Sequence, residues 1–197
     1  MTCPTAHPAR PHRFPPFAAA VVLLFVAAGT CRAADPVEPR TWWVELDGGA
    51  ASVHQAGQLF SAEAPAVADD VGGFFRLGFG HMAGDHLGLG LEFGVIFLGT
   101  GGAGENAVLP FQGFVTGRIY PRKHSPFHIR LAGGAFGREA INPAMTSATG
   151  LGGEAGVGYD VKLRGYNHLT PYVLYQVGRP GAVRTRAVLV GAAYARW

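Results

Sequence analysis

From Thr41 to the last residue, apolar side chains alternate with polar residues or glycine at a period of two. That is the spacing of a β-strand whose two faces meet different surroundings. The segment Leu87-Gly-Leu-Gly-Leu-Glu-Phe-Gly-Val-Ile-Phe97 shows it most clearly, with Leu87, Leu89, Leu91, Phe93, Val95 and Phe97 on one face and Gly88, Gly90, Glu92 and Gly94 on the other. A strand of a soluble sandwich sets an apolar face against a solvated polar one. Here the opposite face is mostly glycine with one acid, which suits a narrow enclosed space better than open solvent. The pattern predicts eight strands, over 41–54, 71–83, 87–98, 107–121, 126–138, 148–164, 169–178 and 184–197. An even number is what closed bacterial barrels require. Each strand is long enough to cross a bilayer, which takes about 9–11 tilted residues. The expected fold is therefore all-β, an eight-stranded antiparallel up-and-down transmembrane β-barrel.

The connections alternate in length. Gln55 to Asp70, Gly99 to Asn106 and Glu139 to Ser147 are the longer ones, whereas Gly84-Asp85-His86, Arg122 to Ser125 and Gly165 to His168 are tight. Arg179 to Val183 is a modest loop. Short periplasmic turns opposite longer outer loops are the barrel arrangement, and they put both ends of the barrel domain on the periplasmic side.

On strands two to eight the apolar positions are odd-numbered, and they are expected to face lipid: Phe75, Leu77 and Phe79, then Phe111, Val115 and Ile119, then Ile129 and Leu131, through to Tyr175, Leu189 and Ala195. In strand one the phase differs, with Trp42, Val44 and Leu46 outward and Glu45 and Asp47 inward. The inward face collects charge of both signs: Glu45, Asp47, Arg76, Glu92, Arg118, Arg130, Glu154 and Asp160, with Gln112, His128, Lys162, Arg186 and Arg196 on the same side. An isolated buried charge is too costly to leave unpaired, so these groups should form an ionic network. The interior of an eight-stranded barrel is just wide enough for side chains to fill, which favours a structural plug over an ion path. Trp42, Trp43, Tyr120, Tyr166 and Trp197 fall near the periplasmic rim, where an aromatic girdle is expected.

Upstream of the barrel, residues 1–16 carry Arg10, His12 and Arg13, and Phe17 to Ala28 form an unbroken apolar run followed by small residues. Basic, then apolar, then small is the order of a signal peptide, and the run falls short of the roughly 20 residues of a transmembrane helix. Residues 1–34 are expected to be cleaved after Ala33 or Ala34, residues 35–40 to form a periplasmic lead-in and residues 41–197 to form the barrel domain. An uncleaved anchor, or a lipoprotein acylated at Cys31, are the alternatives. Both cysteines, Cys3 and Cys31, lie in this leader.

Composition adds two constraints. Thirty glycines among 197 residues, without a collagen period, together with 15 % charged residues argue against disorder. The net charge of +3 belongs to Arg10, Arg13 and Arg32, leaving 13 basic and 13 acidic residues in the rest. A neutral mature chain gives no reason to expect a nucleic-acid partner.

With its strand count, its Gly-aromatic strands Gly156-Val-Gly-Tyr-Asp160 and Leu169-Thr-Pro-Tyr-Val173, and its end Ala193-Tyr-Ala-Arg-Trp197, the chain resembles the small outer-membrane barrels of the OmpA/OmpX-like type over Thr41 to Trp197. The resemblance implies a bacterial outer-membrane location, contact with outer-membrane lipid and lipopolysaccharide, and insertion by the assembly machinery that reads a terminal aromatic, here Trp197. It departs at Ala195, Ala193 and Gly191, where bulkier residues are usual. The fold itself hosts many functions.

Some eight-stranded barrels are lipid A deacylases or palmitoyltransferases, and a deacylase needs a nucleophile, a nearby histidine and an orienting acid. The His-x-Ser motif of the deacylases is absent. Ser52 and His54 share a face, with Glu63 or Glu105 as conceivable partners, whereas adjacent His124 and Ser125 point opposite ways. His81 and His86 flank one turn but lack a third metal ligand. The glycine-rich Gly99–Gly104 lacks the Lys-Ser/Thr of a phosphate loop. The expectation is a monomeric, non-enzymatic barrel without metal or cofactor, structural or interacting through its outer loops. The alternatives are a lipid A-modifying acyl hydrolase or transferase and a narrow ion-conducting pore.

Overall fold

A computed structural model describes residues 42–57, 66–98, 108–123, 125–140 and 147–197. The expected signal peptide, lead-in and Cys31 lie outside the described residues. So do Glu63, Glu105, His124 and the tips of three outer loops. What is described is strand and turn: β1 (Trp42–Gly57), β2 (Ala66–Met82), β3 (Leu87–Leu98), β4 (Val108–Ile119), β5 (Phe127–Ala140), β6 (Ala148–Tyr159), β7 (Val161–Lys162), β8 (Asn167–Pro180) and β9 (Arg184–Arg196). β7 continues β6 beyond a break at Asp160, and both pair with β8. The break falls where the Asp160 N–H leaves the ladder and donates to the Pro126 carbonyl at 2.7 Å. The nine segments therefore make eight staves, each antiparallel to its neighbours. The barrel closes where β1 pairs with β9, from Val44↔Arg196 to Ala56↔Arg184. Closure leaves no stave with an unpaired edge.

Alternation sorts the faces as the strands require. Phe75, Leu77, Phe79, Leu91, Phe93, Val115, Ile129, Leu131 and Tyr175 are exposed on the exterior, and Trp42, Val44 and Leu46 join them from β1. The inner turns are tight. Gly84 has φ of +115° and Gly165 of +67°, values open to glycine at little cost.

The structure departs from the sequence expectation in four places. β2 begins at Ala66, so it and β1 reach further out than 71 and 54 suggested. β9 has the opposite phase to the one expected: Leu189 and Ala195 are 1 % and 0 % exposed, whereas Val188, Tyr194, Arg186 and Arg196 face out. The cause is register. Directly paired residues share a face of the sheet, and Glu45 and Asp47 pair with Ala195 and Ala193. Once the acids of β1 turn inward, the odd positions of β9 must follow. The expected girdle is also redistributed. Trp42 and Tyr166 point outward, but Trp43 and Tyr120 are buried inside. Trp197 is half-buried, its ring 6.2 Å from that of Trp43 and 6.0 Å from that of His168. Lys162, finally, is half-exposed at the rim.

The inward glycines make room for large side chains. A Cβ on Gly90 would lie 2.5 Å from the Phe79 carbonyl oxygen and 2.6 Å from Cζ2 of Trp43, whose indole occupies that space. Gly90→Val is therefore expected to destabilise the barrel by about 1–3 kcal/mol, the usual range for overpacking. Shortening the indole with Trp43→Leu should recover part of that loss in a urea titration. Equal stability of wild type and Gly90→Val would show that both the Trp43 ring and the β2 backbone at Phe79 yield without cost.

Candidate functional site: a filled lumen

The lumen is packed in layers. Toward the end away from the start of β1 and the finish of β9 lies an apolar layer in which Val53, Phe74, Ile96, Leu98, Leu174 and Leu189 meet. At mid-height the staves contribute charge. Asp47 and Arg76 are register partners on β1 and β2, and Arg76 Nε donates to Asp47 Oδ1 at 3.0 Å. The Nη1 atom of Arg76 lies 2.7 Å from Glu92 Oε1 and 3.0 Å from Glu154 Oε2. Arg76 pairs in register with Gly94, so Glu92 is its diagonal neighbour on β3. Glu154 stands on β6, on the far side of the barrel.

Arg130 of β5 completes the same cluster. It bonds Glu92 through Nη2, lies 3.2 Å from Glu154 through Nε and approaches Glu45 at 3.6 Å and Asp47 at 3.9 Å. Arg118 of β4 pairs with Glu45 and lies over the Trp43 ring at 4.0 Å. Four carboxylates thus meet three guanidiniums, every one of them almost fully buried. Gln176 of β8 donates to Gln112 of β4, and Gln112 donates in turn to Glu92 at 3.5 Å. The Arg76 guanidinium lies 5.0 Å from the Tyr172 ring and 5.3 Å from that of Phe74. Contacts between β2 and β6, and between β4 and β8, span the bore at this level.

Toward the end where β1 begins and β9 finishes, Asp160 heads a second cluster. It accepts from Tyr120 Oη at 3.1 Å and Thr170 Oγ1 at 2.8 Å, with His128 Nδ1 at 3.5 Å. Trp43, His168 and Trp197 lie beyond. All eight residues expected in the lumen network, Glu45, Asp47, Arg76, Glu92, Arg118, Arg130, Glu154 and Asp160, are buried inside. Seven share one cluster, and Asp160 stands in the second.

Several interior residues went unread in the sequence. Phe74, Ile96, Phe114 and Phe136 occupy inward even positions, and Arg138 is buried on the same face as His128 and Arg130. The signal was present in their parity, but apolar residues of both parities look alike without knowledge of which face a strand encloses.

On the exterior, His54 Nδ1 lies 2.6 Å from Asp69 Oδ1, its register partner, and Ser52 is exposed on the same face of β1. His81 stacks edge-on against Trp42 at 4.8 Å, whereas His86 Nδ1 lies 2.9 Å from the Tyr120 carbonyl, so these two have separate partners. Among the described residues no group of three or more His, Cys, Asp or Glu is placed to hold a metal ion.

A closed antiparallel barrel of eight staves, with an apolar exterior and a charged, filled interior, is the fold of the small bacterial outer-membrane barrels. Solved structures of that class superpose on it. Ail, the attachment invasion locus protein of Yersinia pestis, matches with a TM-score of 0.56 at 12 % identity, over 79 % of this chain and 99 % of that one. Neisserial surface protein A matches with a TM-score of 0.52 at 17 % identity, over 79 % and 96 %. Ail in complex with the heparin analogue sucrose octasulfate gives 0.51 at 13 % identity, over 79 % and 99 %. No protein-family model matches the chain, and no curated protein matches it in sequence.

Proposed function

We propose that the protein is a monomeric, non-enzymatic barrel of the bacterial outer membrane, exported through a cleaved signal peptide and acting structurally or through its outer loops. The observation that carries this reading is the cross-lumen cluster of Arg76, Arg130, Glu92 and Glu154, which fills the bore at mid-height. A core of that kind supports a rigid scaffold rather than a conduit. The apolar exterior supports the membrane: in a bilayer a closed sheet satisfies every backbone polar group internally. The names of the similar proteins, an attachment invasion locus protein and a surface protein, fit a role at the cell surface.

The mature chain is expected to fractionate with outer membranes, to show a heat-modifiable gel shift and to give no single-channel conductance in planar bilayers. A soluble product would sink the membrane reading. Conductance that changes in Arg118→Ala or Arg130→Ala would favour a pore.

A second reading, a lipid A-modifying acyl hydrolase, has one observation in its favour: His54 is oriented by Asp69 with the Ser52 hydroxyl two residues away on the same face. It predicts altered lipid A acylation on expression, lost in Ser52→Ala and in His54→Ala. Unchanged lipid A by mass spectrometry leaves the non-enzymatic reading.

A further inference from the structure

The exterior carries a feature that the lumen does not explain. Where β6, β8 and β9 run side by side near the end away from the start of β1, a surface groove of about 400 Å³ opens between Leu151, Gly153, Val177, Arg179, Arg184 and Arg186. Register builds it. Leu151 pairs with Arg179 and Gly153 with Val177, and Val177 pairs on its other side with Arg186. Gly153 has no side chain to fill the exterior between Leu151 and Val177, so the backbone forms the floor there. Leu151 is 78 % exposed and Val177 is 44 % exposed.

The three arginines stand at the outer edge of the apolar belt, with Val188 and Tyr175 below them on the same staves. All three are exposed, and no carboxylate among the described residues pairs with any of them. The neighbouring histidine differs: His54, the register partner of Arg186, is held by Asp69. Three guanidiniums gathered on one face call for an anion, and guanidinium forks match phosphate oxygens bidentately. An apolar trough beside them calls for a hydrocarbon chain.

We propose that this groove binds one phosphorylated, acylated glycolipid of the outer leaflet. Its phosphate lies against Arg179, Arg184 and Arg186, and one acyl chain lies over Gly153 between Leu151 and Val177. The proposal rests on the outer-membrane reading above and adds a defined site to it.

The test uses the full mature chain extracted from membranes in mild detergent, with bisphosphorylated lipid A as the probe and native mass spectrometry as the readout. Wild type should retain one lipid A. The triple variant Arg179→Gln, Arg184→Gln, Arg186→Gln should bind it about 10- to 100-fold more weakly, the scale of losing charge-assisted hydrogen bonds. The triple lysine variant should bind between wild type and the glutamine variant, because it keeps the charge but loses the bidentate fork. Dephosphorylated lipid A should bind wild type as weakly as bisphosphorylated lipid A binds the glutamine variant. A preserved heat-modifiable shift shows that each variant is folded.

Unchanged retention by the folded glutamine variant overturns the site. So does displacement by inorganic phosphate at concentrations comparable to lipid A, which would mark a bare anion site. Tighter binding of sucrose octasulfate than of lipid A would assign the arginines to a sulfated glycan instead. A chain that fractionates with outer membranes yet retains no lipid A overturns this proposal alone. A chain absent from membranes overturns the reading beneath it as well.

Discussion

Arg76→Ala is expected to cost the barrel about 3–5 kcal/mol, the range for removing one partner from a buried ion cluster. Arg76 is the shared cation of Asp47, Glu92 and Glu154. Without it, Arg130 alone would face Glu154 and would share the remaining carboxylates with Arg118. The unpaired charges would stay buried, because packed side chains above and below leave water no easy route to mid-height. Glu92→Ala should also destabilise, but the double variant should cost less than the sum of the two single changes, since each single change strands the other's partner. Urea titration of the barrel in detergent, read by the heat-modifiable gel shift, measures all three. Additive losses would mean that Arg76 and Glu92 do not depend on each other. A cost of Arg76→Ala below about 1 kcal/mol would mean that the cluster contributes no more than a surface ion pair.

Deletion of Trp197 should lower the membrane-inserted fraction by about tenfold, equivalent to roughly 1.4 kcal/mol, while leaving export intact. The physical basis is the closing seam. β9 must pair with β1 to complete the barrel, and an open seam in lipid leaves N–H and C=O groups without partners. Trp197 anchors the end of β9: its N–H donates to the Tyr166 carbonyl at 3.0 Å, and its ring packs toward Trp43 and His168 inside the mouth. The residue therefore acts from within the barrel end rather than from a lipid-facing position. Trp197→Phe keeps an aromatic inside that end and should insert nearly as well as wild type, whereas Trp197→Ala should fall between Phe and the deletion. Protease-sensitive, signal-processed protein in the periplasm would be the product of failure. Wild-type insertion after deletion would show the terminal aromatic to be incidental to assembly.

Much of this architecture follows from local pattern. Alternation from Leu87 to Val95 assigns the faces of β3, because neighbouring side chains on a strand point to opposite faces and only one face of that stretch is bulky. Glu45, Asp47, Arg76, Glu92, Arg118, Arg130 and Glu154 are legible as interior for the same reason. Each is a charge on a strand whose other face is apolar, and a charge is costly to leave against lipid.

Local pattern is silent where both faces look alike. Ala187-Val-Leu-Val190 is apolar at every position, and only the pairing of β9 with the acid-bearing β1 decides that Leu189 turns inward while Arg186 turns out. The same closure draws Trp197 into the barrel end, although an aromatic near a rim reads equally well as an outward anchor, whereas Trp43 follows the inward parity of Glu45 and Asp47 on its own strand. Partners across the bore lie beyond sequence reasoning altogether. Arg76 and Glu154 are separated by 78 positions in the chain, and they meet because eight staves close into a barrel narrow enough for side chains from opposite walls to touch. Alternation assigns a residue to a face; register and closure determine what it meets there.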